Sequence, residues 1–260
     1  MPYYRYAALT LTAALAAAPL SAQTTPAAPA SGKTVLQRAE LPGQRYVVEV
    51  TRGVQAANAR ASLHLHPGIE SGYVIRGGGV LHVQGLPDRT VGPGDTAVIP
   101  PNTPHWFTNG PEQTEIVATY VVENGKPASR RLDKDAPELT APPRTLAPYT
   151  TSPPDSGKAP AVLQSVAFPG EGYYTRITRT EVPAQGRSPQ HVHPGTEITY
   201  VLAGSLTLAI AGQPERELRT GDSFLVPAGT AHTVVNGAGP AELLSTYVLE
   251  EAKPVMEVLN

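Results

Sequence analysis

The 260-residue chain has no cysteine, which excludes both a disulfide framework and a lipoprotein anchor, and nothing in it can mispair in an oxidising compartment. Charge is scarce and balanced: 16% of residues are charged, 20 basic against 22 acidic, with no Lys/Arg stripe. Nucleic acid is therefore not expected as a partner. Long hydrophobic runs are missing as well. The Ala- and Leu-rich run from Ala7 to Ala18 is too short to cross a membrane comfortably. No window sustains a helical apolar period over three turns, so long helices are not expected.

What is present points to β-structure. Glycine (24) and proline (28) are abundant, a composition suited to many short strands joined by turns. At 40% hydrophobic residues the chain can bury a sizeable core, as one large or two small domains. Arg5 in a polar start, the run Ala7 to Ala18 and Ala22 before Gln23 predict an export signal over residues 1–22. An uncleaved anchor is the competing reading. Cleavage would leave a periplasmic or secreted protein with no membrane attachment. Residues 23–33 have the composition of a disordered spacer.

From Val35 onward the chain repeats itself at an offset of 127. Val35-Leu-Gln37 returns as Val162-Leu-Gln164, Thr51-Arg52 as Thr178-Arg179, and Thr119-Tyr-Val121 as Thr246-Tyr-Val248, without a gap. This is an internal duplication, with domains expected over 34–123 and 161–260. The proline-rich residues 124–160 between them are expected to form an extended strap.

Six of the seven histidines fall in matched positions of the two copies. His64 and His66 are two apart, so on a strand both imidazoles project to one face. Pro67-Gly68 can turn the chain and return Glu70 toward that face. His191, His193, Pro194-Gly195 and Glu197 repeat the pattern. Further on, a turn, an apolar strand and a proline-led turn precede His105 in one copy and His232 in the other. Imidazoles and a carboxylate brought together in this way are metal-ligand chemistry.

With these residues in hand, the sequence resembles the cupin superfamily, specifically a tandem bicupin. The first cupin motif, H-x-H-x3-E-x6-G, is met by His64, His66, Glu70 and Gly77, and by His191, His193, Glu197 and Gly204. The second, G-x5-P-x-G-x2-H-x3-N, is met by Gly221, Pro227, Gly229, His232 and Asn236. The first copy meets it with Gly94, Pro100, His105 and Asn109, but has Asn102 in place of glycine. Asparagine tolerates a positive φ, so the turn is expected to survive. Where cupins often have glycine before the first histidine, Asn58 and Gln185 stand here.

The resemblance implies an all-β fold of two tandem double-stranded β-helix (jelly-roll) barrels. Each would hold one divalent transition metal (Fe, Mn, Ni, Co, Cu or Zn) through three imidazoles and a carboxylate. It further suggests an exported quercetinase-like dioxygenase acting on a small enol, diketone or phenolic substrate, with Glu70 and Glu197 as bases. A Mn-dependent oxalate decarboxylase or oxidase is a second reading, and a non-catalytic metal or small-molecule binder a third. Arg60 and Arg187, four residues before the first histidine of each set, are candidate substrate clamps at the barrel mouth. Tyr73 and Tyr200 are expected to pack between sheets, and His82 to be structural or exposed. Thr233-Val234 in place of Trp106-Phe107 suggests a roomier or less aromatic second pocket. A pseudo-dimeric monomer is favoured over a homo-oligomer, since each half resembles one subunit of a cupin dimer.

Overall fold

A computed structural model describes residues 31–41, 45–140, 160–168 and 172–259. The export signal, residues 23–30 of the spacer and residues 141–159 of the strap lie outside these. Among the described residues, no helix is long and apolar enough to cross a membrane.

The first copy forms β1 (Gly32–Glu40), β2 (Tyr46–Gln55), β3 (His64–Leu65), β4 (Ile69–Arg76), β5 (Gly79–Val83), β6 (Arg89–Val91), β7 (Thr96–Ile99), β8 (His105–Asn109), β9 (Thr114–Glu123) and β10 (Arg130–Arg131). The second forms β11 (Ala161–Ala167), β12 (Tyr173–Val182), β13 (His191–Val192), β14 (Thr196–Ala203), β15 (Ser205–Ile210), β16 (Arg216–Arg219), β17 (Ser223–Val226), β18 (His232–Asn236), β19 (Ala241–Glu250) and β20 (Glu257–Val258). Each copy is a two-sheet jelly roll. The sheet orders are β1-β2-β9-β4-β7 with β10-β3-β8-β5-β6, and β11-β12-β19-β14-β17 with β16-β15-β18-β13-β20.

The longest strands explain how the barrels meet. In β9, Ile116, Ala118 and Tyr120 face the interior of the first barrel, while Val117, Thr119 and Val121 face the second. Covered on both sides, β9 and its counterpart β19 are nearly continuous apolar runs, without the alternation of a half-exposed strand. Val48, Val50, Ile69, Tyr73, Val117 and Val121 form one core with Leu163, Ile177, Ile198, Tyr200, Leu244 and Val248. Each such side chain withdrawn from water contributes about 1.5–3 kcal/mol before entropy is counted.

Thr119 Oγ1 lies 3.0 Å from Thr246 Oγ1. These residues are equivalents in the duplication, so a pseudo-two-fold axis passes between them. The interface is self-complementary accordingly: β1 lies on β17, where Gln37 Nε2 donates to Ser223 Oγ at 3.0 Å, and β11 lies on β7. Tyr73 and Tyr200 are buried at this interface, as their parity predicts. Arg52 joins Glu115 to Tyr200, and Arg179, which pairs with Glu242, acts on Tyr73.

The boundaries differ from the sequence expectation. Gly32 and Lys33, placed in the spacer, are already strand residues of β1. The described part of the strap, residues 124–140, is not a crossing segment but part of the first barrel: β10 pairs with β3, and Gln84 Nε2 donates to Leu139 O at 2.8 Å. Residues 251–258 do the same for the second barrel, with β20 on β13. The duplication thus runs to Arg131 and Val258. Pro127 and Pro254 lie in the turns just before these short edge strands, which need few backbone donors.

Candidate metal centres

Each centre is assembled by local geometry. His64 pairs with His105 across β3 and β8, and His191 with His232 across β13 and β18, so each pair shares the inner face. The turn that returns the glutamate needs its glycine. A Cβ on Gly68 would stand 1.7 Å from Val121 O, and one on Gly195 equally close to Val248 O. Asn102 adopts φ 55° where Gly229 has 70°, and their amides donate to His66 O at 2.6 Å and His193 O at 2.8 Å. The asparagine therefore makes the turn that glycine makes. Asn58 and Gln185 also hold a positive φ of 58°.

The final asparagine of the second motif is a staple rather than a ligand. Asn236 Nδ2 donates to Val182 O, Pro183 O and Gly239 O at 2.8–2.9 Å, and Asn109 bonds Gln55 O, Ala56 O and Glu112 O in the same way. With two N–H donors shared among three carbonyls and about 1 kcal/mol per bond, Asn236→Ala is expected to destabilise the second barrel by roughly 2 kcal/mol. Denaturant unfolding will measure the loss, and the metal content of the folded variant by elemental analysis is expected to match that of wild type.

His64, His66, Glu70 and His105 bring their ligand atoms within 4.8 Å of one another, as do His191, His193, Glu197 and His232. Every imidazole is oriented by a backbone carbonyl. Nδ1 of His64, His66 and His105 bonds Ser62 O, Ala128 O and Thr103 O at 2.5–2.9 Å. Nδ1 of His191, His193 and His232 bonds Pro189 O, Val255 O and Thr230 O at 2.6–3.1 Å. A carbonyl only accepts, so Nδ1 carries the proton and, in the neutral ring, Nε2 turns its lone pair toward the centre. This is the support that orients metal-binding histidines elsewhere.

The donor set then fits a cation. Glu70 Oε2 lies 3.0 Å from His66 Nε2 and 3.1 Å from His105 Nε2, and Glu197 Oε2 lies 3.2 Å and 3.0 Å from His193 and His232 Nε2. His66 Nε2, His105 Nε2 and Glu70 Oε2 are buried without a hydrogen-bond partner, as are His193 Nε2 and Glu197 Oε2. Lone pairs facing each other at this range repel unless a positive charge lies among them. Where a proton on Nε2 supplies that charge, burial acts to raise the Glu70 and Glu197 carboxyls, but hydrogen bonds and attraction from their histidines outweigh it and hold both well below the usual carboxylate range. Burial first, then the neighbouring imidazoles, lowers His64 to about 4. Burial also works against charge on His105 and His232, but their glutamates prevail and raise both.

The centres are not equivalent. The Glu70 side chain is 16% exposed and Glu197 7%. The first opens on a cavity of about 520 Å³ that reaches His64, Glu70 and His105 and is lined by Val74, Leu81, Val91, Ile99, Phe107 and Ile116. Gly72 pairs with Ala97 on its wall. The equivalent pair in the second barrel is Thr199 and Phe224, and Phe224 is fully buried among Val201, Leu208, Leu218, Val226 and Leu243. Inside the second barrel Phe107 gives way to Val234, but Gly72 and Ala97 give way to Thr199 and Phe224, so at these positions the second interior is more filled, not roomier. Trp106 faces outward, stacked on His82 at 4.5 Å, so its replacement by Thr233 empties nothing inside. The glutamates differ too: Tyr120 Oη donates to Glu70 Oε1 at 3.1 Å and its equivalent Tyr247 bonds Glu197, but Glu197 Oε1 also accepts from Thr199 Oγ1 at 2.7 Å.

Arg60 and Arg187 are not brought to the ligands. Arg60 bridges to Thr108, and Arg187 to Val235, both on the outer face of the sheet. Arg60 borders the cavity, but its guanidinium stands over Trp106 at 5.3 Å. Four residues separate Arg60 from His64 while three separate Thr108 from His105. The extra residue reverses the face, and counting parity through it misplaces the side chain. Sequence reasoning missed Ala128 and Val255, which orient His66 and His193. Lys126-Pro127 and Lys253-Pro254, also 127 apart, were the available signal. Tyr120 and Tyr247, whose rings lie 4.8 Å from His66 and His193, were missed as well.

The cupin domain profile matches residues 53–122 and again 178–247. None of the curated proteins matches the chain. Among solved structures, AerE from Microcystis aeruginosa is 20% identical, with 87% of this chain and 96% of that one covered at a TM-score of 0.59. A variant of the Bacillus subtilis oxalate decarboxylase OxdC is 14% identical, with 89% and 80% covered at 0.61. A cupin 2 conserved barrel domain protein from Leptotrichia buccalis is 14% identical, with 85% and 91% covered at 0.52. At these identities the likeness is one of fold. With two profile matches, two jelly rolls and a complete ligand set in each, this chain belongs to the cupin domain family as a tandem bicupin.

Proposed function

We propose that the protein is a metal-dependent oxidoreductase whose first barrel is the reaction chamber, and that its activity is that of a quercetinase-like dioxygenase on an enol, diketone or phenolic substrate. The observation that carries this reading is the cavity of about 520 Å³ ending on His64, Glu70 and His105. Its volume lies in the range of sites for drug-sized organic molecules, and its walls are largely apolar. Oxalate, with six non-hydrogen atoms and no apolar surface, would leave most of it unfilled. The OxdC protein has Mn(II) centres. Here the imidazole and carboxylate donors are compatible with several divalent ions.

A divalent ion held by His64, His66, Glu70 and His105 would supply Lewis acidity toward the oxygen donors of the substrate. The chain's own residues would do the rest. The apolar walls exclude water and hold the substrate body. Glu70, kept ionised by His66 and His105, would take the proton of an incoming enol or phenol. Tyr120, whose phenol burial and the Glu70 charge keep protonated, would hold the other carboxylate oxygen in place. Glu197 is buried and hydrogen-bonded to Thr199, which stands opposite the buried Phe224, so the base role is proposed for Glu70 alone. Export to the periplasm or beyond, and a monomer in which one barrel does for the other what a second subunit would do, complete the proposal.

An oxygen electrode with flavonols, 1,3-diketones and catechols tests it. Oxygen uptake with at least one class is expected, falling at least 100-fold in His66→Ala and within about threefold of wild type in His193→Ala. CO2 release from oxalate with no uptake on the other classes would replace this reading with the decarboxylase one. Stoichiometric binding without turnover would leave a binding protein.

A further inference from the structure

The two barrels also differ in charge at their mouths. Lys33 pairs with Gly53 in β1 and β2, and both line the first cavity. Having no side chain, Gly53 leaves the lysine free to lie inward across the sheet. Its Nζ stands 3.9 Å over the Tyr120 ring, and Tyr120 in turn donates to Glu70. The side chain is 41% exposed, and Glu49 lies 3.9 Å away, a loose ion pair that leaves the ammonium donors open to another acceptor. Arg131 pairs with His64 across β10 and β3, so it shares the ligand face, and it too lines the cavity. The equivalents in the second barrel are Pro160 and Val258, and Val258 is 53% exposed. The second barrel therefore carries no cation at either of these two positions.

We infer that Lys33, assisted by Arg131, is a specificity-determining group of the first barrel, and that the substrate is an organic acid with oxygen donors at one end and a carboxylate at the other. This rests on the first barrel being the substrate chamber. An ammonium on an aromatic face, partly withdrawn from water, attracts a carboxylate more strongly than a fully solvated lysine does. The loose Glu49 contact orients Lys33 without satisfying it. A neutral phenol or diketone would leave both cations unmatched, so charge separates substrates of similar shape.

Catechol and 3,4-dihydroxybenzoate share vicinal hydroxyls and differ in a carboxylate. Calorimetric titration of the metal-loaded full chain with each isolates the role of Lys33. Wild type is expected to bind 3,4-dihydroxybenzoate at least tenfold more tightly than catechol. Lys33→Met is expected to bring the ratio to within about twofold of one, with catechol affinity and metal content unchanged, and Lys33→Arg is expected to preserve it. A ratio unaltered in Lys33→Met, with catechol still bound, would overturn the assignment and leave the chamber standing. Binding of neither probe to wild type would overturn both.

Discussion

Ala97→Phe is expected to abolish small-molecule binding in the first barrel while leaving both metal centres loaded. Ala97 lies opposite Gly72 on the cavity wall, and the second barrel has Phe224 opposite Thr199 at the same place. The fold therefore already accommodates a phenyl ring at this register, and in the second barrel that ring is fully buried in apolar company. In the first barrel it would enter open space rather than a packed core, so the 1–3 kcal/mol cost usual for overpacking should be largely avoided. The ligand donors sit on β3, in the turn after it, and on β4 and β8, and a ring on β7 at the register that Phe224 occupies in the second barrel, whose ligand set is complete, is expected to displace none of them. Any turnover or ligand association constant measured for wild type should fall at least 100-fold, with the unfolding midpoint unchanged or higher and two metals per chain by elemental analysis. Undiminished binding would mean that the cavity is not where ligands go.

The converse change is expected to be costly. Phe224→Ala removes a fully buried ring from the core formed with Val201, Leu206, Leu208, Leu218 and Val234. Large-to-small changes of this kind cost about 3–5 kcal/mol, because the surroundings collapse only in part. Such a loss is a large fraction of the stability of a domain this size. Because the two barrels share a core, chemical denaturation followed by far-UV circular dichroism should show a lowered midpoint for the chain as a whole. A loss below about 1 kcal/mol would show that the second barrel can refill itself, and the contrast between the chambers would then be weaker than the packing indicates.

The ligands were legible before any coordinates because everything that places them is local or repeated. His64 and His66 share a face by strand parity, Pro67-Gly68 turns the chain within two residues, and each feature recurs 127 residues later. The same kind of reasoning failed wherever a neighbouring strand had to be known. Arg60 borders the cavity yet turns its guanidinium over Trp106, and the extra residue between it and His64 that turns it is visible only against Thr108 and His105. The strap was drawn as ending the domain because β10 acquires meaning only through its pairing with β3.

What the sequence alone determined is the duplication, the β-architecture and two complete sets of metal donors, since periodicity and short-range turns decide these. What only the tertiary structure decided is that the interiors around the two sets are filled differently at matched positions. Gly72 and Ala97 lie 25 residues apart in the chain, unremarked until antiparallel register sets them side by side, and Lys33 joins them only because β1 folds back over Gly53. The volume of a barrel interior is the sum of side chains brought together from distant strands, and no local window of sequence contains that sum.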